Sequence, residues 1–332
     1  MTFKPLLSTL GLLFCGALVG CGDDTASSGG GSAGEGGGGT STAATSSAGD
    51  TTATGSGGEA AGTGGTGSGG DDENTVTITL DPFEVLPGEE VYKCQNFANP
   101  YGQDAKISKF ESHMTGGSHH LLLFYGGDGE NGELQDCSGL EFAPTPYSTQ
   151  LPDDSVAFPE GVAAALPAST GIRLQSHYLN VTPDPITAQV EVKLHRADDG
   201  TVTDIAGVMF VVQPDIQVAP HSTEVVSYDC NIPKDMKVMK ASSHMHKHGT
   251  SFTSTVDGVP LYDTDTWDEP APGYFDPPME LEEGAPLHFE CTFQNDTSET
   301  LTFGESAGSN EMCILVASYY PASENQPTID CN

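Results

Sequence analysis

From Asn74 to Asn332 the chain is divided into short segments that favour strands, with a turn about every ten residues. Thr75–Leu80 and Thr250–Val256 show the pattern, because both are rich in the β-branched residues that fit a pleated sheet. Pro, Gly, Asn and Asp lie between such segments, and long helical periodicity is missing from the sequence. Many short strands with regular turns predict an all-β protein of the sandwich or barrel type.

The length of this part of the chain favours two antiparallel, jelly-roll-like β-sandwich domains, since each would then have an ordinary domain size. We place the joint at the turn Asp198-Asp199-Gly200, which gives an N-terminal domain over 74–198 and a C-terminal domain over 199–332. Within the first domain, Pro144–Leu166 contains repeated prolines and is predicted to be irregular.

The first 73 residues are predicted to lie outside these domains. Residues 1–20 combine Lys4 with an apolar run, as a signal peptide does. Small residues precede Cys21 as in a bacterial lipobox, which implies cleavage before Cys21 and lipid attachment to its thiol; ordinary cleavage nearby is the alternative. Residues 21–73 are almost all Gly, Ser, Thr, Ala, Asp and Glu, a composition that predicts a disordered tether. We therefore expect an exported, lipid-anchored protein of the cell envelope, at the outer membrane or cell surface.

Acidic residues far outnumber basic ones, giving a formal net charge of −36 with only 11 Lys and Arg. Nucleic acid and anionic lipid surfaces repel such a chain, so neither is expected as a partner. The lipid on Cys21 is therefore the one membrane contact that we expect, and we expect the protein to be a monomer.

Six of the eight cysteines lie in the predicted domains, where an exported protein favours disulfide bonds. Six cysteines allow fifteen pairings, and the residues alone do not choose among them. Their spacing contains no CxxC motif of the zinc-ribbon or thioredoxin type. The six are Cys94, Cys137, Cys230, Cys291, Cys313 and Cys331.

Three of the ten histidines alternate in one short segment, at His244, His246 and His248. Because residues two apart share a face of a strand, His244 and His246 are predicted to present two imidazoles side by side, as half of a metal site. His248 either joins them or lies past a bend. A helix would give His244 and His248 the spacing of zinc proteases, but Met245 stands where that motif has Glu, and the flanking residues favour strand.

Other candidate ligands lie far from this segment in sequence. His119 and His120 follow two glycines, which would allow the local twist that adjacent histidines on a strand need to reach one ion. His177 and Met312 lie in predicted strands. Each of these residues also has an ordinary explanation as a core or surface side chain. As a set, imidazoles with a thioether and no thiolate suit copper better than zinc.

These pieces resemble a known family when they are taken together. In order and spacing they are similar to the copper type II ascorbate-dependent monooxygenases, which include the peptidylglycine α-hydroxylating and dopamine β-monooxygenases. The resemblance covers Thr75–Asn332 and implies two antiparallel β-sandwich domains. The matching segments are His119-His120, Leu174-Gln175-Ser176-His177-Tyr178, His244-Met245-His246 and Glu311-Met312-Cys313.

The resemblance implies two copper ions per chain that face each other across an open cleft. An electron-transfer copper would be held by His119, His120 and His177, with Gln175 beside it. The copper at which dioxygen reacts would be held by the catalytic ligands His244, His246 and Met312.

The implied reaction is hydroxylation of an unactivated C–H bond of a small molecule or peptide, with O2 and an external one-electron reductant such as ascorbate. The family's cysteine spacing also implies the disulfides Cys94–Cys137, Cys230–Cys331 and Cys291–Cys313.

Two positions depart from the peptide-hydroxylating branch of this family. That branch has an Arg and a Tyr that hold the substrate carboxylate, where this chain has Ser242 and Val316. A peptide with a C-terminal glycine is therefore not the expected substrate.

Three other functions are compatible with parts of the sequence. A non-catalytic copper carrier, store or sensor would use the same ligands, and an adhesive β-sandwich would carry degenerate sites. The segment Gly304–Gly308 fits the G-x-S-x-G pattern of serine hydrolases, but that elbow requires strand, turn and helix with a later His, and no His follows His288. We instead expect strand after Ser306.

Overall fold

The computed structural model describes residues 74–126, 129–141, 143–324 and 326–331. The predicted signal peptide, the lipidation site at Cys21 and the tether over 21–73 lie outside the described residues. Across the part that is described, no helix has the length and apolar character needed to cross a membrane.

Strands dominate the described residues, as the sequence predicts for an all-β protein. A single turn of 3-10 helix, Asp199–Thr201, interrupts them at the turn predicted to join the two domains, and the side chain of Asp198 accepts a hydrogen bond from Gly200 N there. The strands before it are β1 (Thr75–Thr79), β2 (Phe83–Val85), β3 (Glu90–Phe97), β4 (Ala105–Met114), β5 (Ser118–Tyr125), β6 (Gln135–Asp136), β7 (Tyr147–Thr149), β8 (Asp153–Ala157), β9 (Val162–Leu166), β10 (Ile172–Leu179), β11 (Ile186–Ala188) and β12 (Val190–Arg196). The strands after it are β13 (Asp204–Ile205), β14 (Gly207–Val212), β15 (Gln217–Val218), β16 (Ser222–Asn231), β17 (Met236–Met245), β18 (Gly249–Val256), β19 (Val259–Thr264), β20 (Gly273–Leu281), β21 (Pro286–Asn295), β22 (Leu301–Thr302), β23 (Cys313–Tyr320) and β24 (Thr328–Ile329).

The first half contains two sheets. One has the order β1-β12-β4-β9-β13, with β8 also paired to β4, and the other has the order β6-β3-β10-β5-β7. β2 and β11 form a separate two-stranded ribbon. Every pairing here is antiparallel except β9 with β13, so β13 pairs with the first half although it lies past the predicted joint.

The second half repeats this plan with a different strand order. One sheet runs β20-β17-β23-β14-β24 and the other β16-β21-β18-β19, with β15 and β22 as a short ribbon. Pairing is antiparallel except between β14 and β24. Two facing antiparallel sheets in each half give the sandwich class predicted from the sequence.

Alternating residues of the facing sheets fill a separate apolar core in each half. In β5, Leu121 and Leu123 point into the first core; in β23, Leu315 and Ala317 point into the second. Fully burying a side chain such as leucine contributes about 1.5–3 kcal/mol, which fixes the inward face of each strand. The residues on the opposite faces of β5 and β23 are therefore not part of these two cores.

The three disulfides pair as the family resemblance implies. Cys94 of β3 bonds to Cys137, and Cys230 of β16 bonds to Cys331 near the end of the chain. Cys291 of β21 bonds to Cys313 of β23, which joins the two sheets of the second half. This last bond fixes the start of β23, next to Met312.

The prediction of an irregular segment over Pro144–Leu166 was wrong, because β7, β8 and β9 lie within it. Its prolines flank the strands instead of interrupting them, as at Pro152 before β8 and Pro159 before β9. Proline is compatible with such positions because no ladder hydrogen bond is lost there.

Candidate metal centre

His119 and His120 reach the same region because β5 contains a bulge. In the pairing of β5 with β10, His120 lies opposite His177 and Ser118 lies opposite Tyr178, so His119 is an extra residue without a partner position. A bulge of this kind turns a side chain that would otherwise point to the other face. Gly117, with φ of +94°, precedes it in a conformation that favours glycine. This is the local distortion that the paired glycines before these histidines predicted.

His177 lies next to them on β10 and is held from two sides. Its Nε2 lies 2.9 Å from Glu90 Oε1, and its ring stacks on Tyr92 with centroids 3.8 Å apart. The three rings of the first predicted set are close together: the centroids of His119 and His120 are 5.4 Å apart, and each lies 5.0 Å from that of His177.

The histidines of the second half lie at the end of β17. His244 is the penultimate residue of this strand, and His246 lies in the turn directly after it. Their ring centroids are 5.2 Å apart. His248 lies further along the turn, before β18, and is not among the rings packed together here.

The two sets of histidines lie against each other instead of facing across an open cleft. The ring centroids of His119 and His244 are 4.8 Å apart, closer than any two rings within the first set. One ring nitrogen from each of His119, His120 and His244 lies within 4.8 Å of the other two. One ion could therefore take ligands from both halves in this arrangement.

Four buried ring nitrogens in this cluster have no hydrogen-bond partner among the described residues: Nε2 of His119, His120 and His246, and Nδ1 of His177. Buried polar atoms are nearly always paired, so an unpaired set that converges on one region indicates a missing ligand. A soft or borderline metal ion fits these neutral nitrogen donors.

Burial keeps the imidazoles neutral. It lowers the pKa of His119, His120 and His244 well below the usual histidine value, and neighbouring histidines act in the same direction. Burial also lowers the pKa of His177, against the effect of Glu90, and lowers that of His246 to about 4. A neutral imidazole has the free lone pair that a metal ligand needs.

Met312 lines a cavity together with His120 and His244, directly before β23. Its neighbour Glu311 is fully buried and accepts hydrogen bonds from the backbone N–H groups of His246, at 3.1 Å, and His248, at 2.8 Å. Burial raises the pKa of Glu311 to about 8. Glu311 thus holds the turn that carries His246, a role that the sequence did not reveal.

Gln175 lies on β10 two register positions from the pair His177–His120, opposite Leu122 of β5. It is fully buried, and its Nε2 donates to Ser138 O at 2.8 Å. Its Oε1 is buried without a hydrogen-bond partner among the described residues. Because residues two apart share a face of a strand, Gln175 lies on the same face of β10 as His177.

Gln150 of the first half and Trp267 of the second half each contact a histidine of the other half. Gln150, after β7, accepts a hydrogen bond from His244 Nδ1 at 2.7 Å through its Oε1. Its Nε2 donates to Ser243 O at 2.5 Å. Trp267, from the loop after β19, lies against His119 with ring centroids 5.5 Å apart. The sequence does not indicate that Gln150 and Trp267 contact the histidines, because neither residue belongs to a motif.

The G-x-S-x-G segment contacts the site in a different way from a hydrolase elbow. Ser306 Oγ donates to Glu90 Oε2 at 2.7 Å and Ala307 N donates to Glu90 Oε1 at 2.6 Å, so this loop fixes the carboxylate that contacts His177. The residues directly after Ser306 form a turn, Glu311 forms an isolated bridge with Phe303, and the strand expected after Ser306 begins at Cys313 as β23.

Three other histidines pair with carboxylates and are not among the rings of the cluster. His113 pairs with Asp153, and His288 pairs with Asp229, both at the surface. His195 contacts Glu111.

Comparison with known proteins gives one family. Residues 203–330 match the family model for the copper type II ascorbate-dependent monooxygenase, C-terminal domain. No curated protein matches the sequence.

Solved structures show weaker likeness. PNGase F, a glycosylasparaginase from Flavobacterium meningosepticum, aligns over 78% of this chain and 98% of its own at 11% identity, with a TM-score of 0.36. The major capsid protein P2 from bacteriophage PM2 aligns over 76% of this chain and 99% of its own at 10% identity, with a TM-score of 0.33. Neither likeness is close enough to carry an argument about this chain. The family match lies on the half that contains His244, His246 and Met312, and residues 203–330 are similar to the C-terminal domain of the copper type II ascorbate-dependent monooxygenases.

Proposed function

We propose that this protein is a copper-dependent monooxygenase that hydroxylates an unactivated C–H bond of a small molecule or peptide. The observation that carries the proposal is the convergence of five buried, neutral histidines beside Met312 in a chain with this family match. The reaction would consume O2, two electrons from a reductant such as ascorbate and two protons. One oxygen atom would enter the product and the other would leave as water.

Two sets of residues would hold the metal. His119, His120 and His177 form the first set, and His244, His246 and Met312 form the second. Bound copper would supply the one-electron chemistry that the reduction of O2 requires. The thioether of Met312 suits the reduced form of copper, which gives this second set a different donor character from the first.

The protein's own groups prepare this site. Burial keeps the rings unprotonated, so that metal binding need not displace protons near neutral pH. Glu90 and Gln150 occupy the outer nitrogens of His177 and His244, which directs the opposite nitrogens inward. The apolar cavity beside Met312 would bring a substrate to the second set while excluding bulk water.

Metal analysis is the first test. Two ligand sets predict about two copper ions per chain. Binding can be followed without activity, because the chain's one tryptophan, Trp267, lies against His119 and its fluorescence should be quenched by copper(II). Absence of stoichiometric copper would support the adhesive, degenerate-site alternative instead.

Turnover separates the enzyme from a copper carrier. The copper-loaded protein with ascorbate should consume O2 in step with an added substrate. A carrier, store or sensor would bind copper but give slow ascorbate oxidation that is independent of the substrate, and this result would overturn the proposal.

A substitution at Met312 tests the second set. Met312→Ile should abolish or strongly reduce turnover and weaken copper binding at one of two sites, while the fold survives, because the two side chains have similar volume. Met209→Ile, in the apolar core of the same half, is the matched control and should leave both properties unchanged. Unchanged activity in Met312→Ile would remove this residue from the proposed ligands.

We further propose that a lipid on Cys21 anchors the protein in the cell envelope. Labelled palmitate should be incorporated by the natural protein and not by Cys21→Ser, and the variant should be released from the membrane fraction. Palmitate labelling of the variant would contradict the anchor.

A further inference from the structure

A cavity of about 470 Å³ extends from the histidine cluster between the two halves of the molecule. One wall is the face of β5 that points away from the first core, with His120, Leu122 and Phe124 at alternate positions. We name this wall the N-face. A cavity of this size lies within the range of small-molecule sites.

The opposite wall is called the C-face and is formed by three adjacent strands of the second half. Ser242 of β17, Val316 of β23 and Phe210 of β14 lie in one row, because they are register partners across these strands. The next row consists of His244, Ile314 and Val212. All six line the cavity, so the two positions that hold Arg and Tyr in the peptide-hydroxylating branch lie side by side on its wall.

Most of the remaining wall is also apolar. Leucine, alanine and proline side chains from both halves contribute most of it, and a few uncharged hydroxyl and amide residues, such as Ser148, Thr149 and Gln326, also line the cavity. The leucine, alanine and proline residues are Leu140, Ala143, Pro144, Leu151, Pro270 and Pro272. A surface of this kind binds a ligand by removing apolar area from water.

Three charged residues lie among the described residues that line the cavity, and each is paired or exposed. Lys240 Nζ lies 3.2 Å from Asp154 Oδ2, and both side chains are buried. Glu141 Oε2 lies 3.0 Å from Arg173 Nε, close enough for an ion pair although not aligned for a hydrogen bond. Asp330 is exposed and accepts a hydrogen bond from the backbone N–H of Cys331.

We propose that this cavity binds an uncharged, predominantly apolar molecule and that the row Ser242–Val316–Phe210 determines this selectivity. A carboxylate or ammonium group would lose its hydration in the cavity without gaining an unpaired opposite charge. An apolar skeleton gains contact with both faces. Calling this ligand the substrate rests on the proposed monooxygenase function, since it would extend to His244 and Met312.

The selectivity can be measured on the metal-free, full-length protein by calorimetric titration. Three probes share one aromatic skeleton and differ in charge: naphthylethanol, naphthylethylammonium and naphthylacetate. The alcohol should bind at least about tenfold more tightly than either ion. Equal or tighter binding of either ion, or no binding of any probe, would overturn the inference.

Two variants locate the selectivity on the proposed row. Ser242→Arg and Val316→Lys each place an unpaired cation on the C-face, so each should favour naphthylacetate over naphthylethanol. Ser227→Arg adds the same charge on the exposed side of β16 and should keep the natural order of affinities. Near-ultraviolet circular dichroism verifies that each variant is folded. A folded Ser242→Arg or Val316→Lys that retains the natural order, or a Ser227→Arg that reverses it, would contradict the assignment.

The experiments on copper are independent of this result. Selective alcohol binding without substrate-coupled O2 consumption would leave the cavity assignment in place and remove the enzymatic function. Substrate-coupled O2 consumption without selectivity among the probes would support the enzymatic function and remove the cavity assignment.

Discussion

At the residue scale, the orientation of each imidazole is decided by the hydrogen bond at its outer nitrogen. His177 uses Nε2 for Glu90, which leaves Nδ1 for a metal, whereas His246 uses Nδ1 for Asn310 O and leaves Nε2. His244 uses Nδ1 for Gln150. Such outer partners fix ring orientation and tune how strongly a ligand binds metal.

Gln150→Leu should weaken copper binding at the second set about 10–100-fold, because it removes the acceptor that orients His244. Titration with copper(II), followed by Trp267 fluorescence, measures the affinity. Gln150→Glu keeps an acceptor and should bind copper better than Gln150→Leu. Gln103 is an exposed residue of the same half, so Gln103→Leu should bind copper as tightly as the natural protein. Equal copper affinities of Gln150→Leu and Gln103→Leu would contradict the role of Gln150.

Glu311 gives a pH-dependent prediction. Its folded pKa of about 8 lies above the ordinary carboxyl value of 4.5, so the folded metal-free protein retains a proton that the unfolded chain loses. The contribution of Glu311 to stability is therefore present at low pH and lost as pH rises from about 4.5 to 8, by at most about 1.4 kcal/mol per pH unit. Gln cannot ionise, so Glu311→Gln should gain stability relative to the natural protein over this window.

Denaturant unfolding of both metal-free proteins at several pH values tests this difference. The histidine contributions have the opposite sign, because their lowered pKa values favour folding as pH rises, but they are common to both proteins and cancel in the comparison. If the difference in unfolding free energy between the two proteins stays constant from pH 4.5 to 8, Glu311 is already ionised in the folded state over this range, which contradicts the prediction.

At the scale of single elements, the bulge in β5 brings two adjacent histidines to one site. Gly117 adopts φ of +94°, and a Cβ there would lie 2.7 Å from Ile186 Cδ1. Gly117→Ala should therefore destabilise the protein by about 1–3 kcal/mol and weaken copper binding at His119. Gly116→Ala is the matched control, since a Cβ at Gly116 meets no atom within 4 Å. Denaturant unfolding compares the two, and equal stabilities would mean that the bulge tolerates a side chain.

Sequence reasoning succeeded where a local pattern determines the outcome. Period-two alternation predicted most strands, and two glycines before His119 predicted the distortion that turns this residue. The sequence-based prediction failed over Pro144–Leu166, because the sequence alone does not distinguish a proline at the end of a strand from a proline within one. Gln150 was missed for a different reason: its contact with His244 spans 94 residues, and no spacing rule predicts such a contact.

At the scale of the whole molecule, polar contacts join the two halves in two separate places. Next to the histidines, Glu90 accepts hydrogen bonds from the loop at Ser306, and Tyr92 Oη donates to Glu305 O at 2.5 Å. In the wall of the cavity, Lys240 of β17 forms a buried pair with Asp154 of β8. These contacts account for the close approach of the two histidine sets, where the family resemblance implied an open cleft.

The buried pair gives the last prediction. Lys240→Met or Asp154→Leu alone should destabilise the protein by about 3–5 kcal/mol, because each leaves one buried charge without its partner. The double variant should be close to the natural protein in stability, since both charges are then absent. Urea unfolding of the four proteins gives the coupling energy between the two residues.

The pair Lys237–Glu280 on the neighbouring strands is the matched control. Its atoms lie 3.3 Å apart, but the two side chains are 48% and 77% exposed, so water screens the attraction and the same cycle should give less than about 1 kcal/mol. If the buried cycle gives no more coupling than the exposed one, Lys240 and Asp154 do not hold the halves together. A charged ligand would then find an available partner in the cavity, so this result would also weaken its assignment to uncharged molecules.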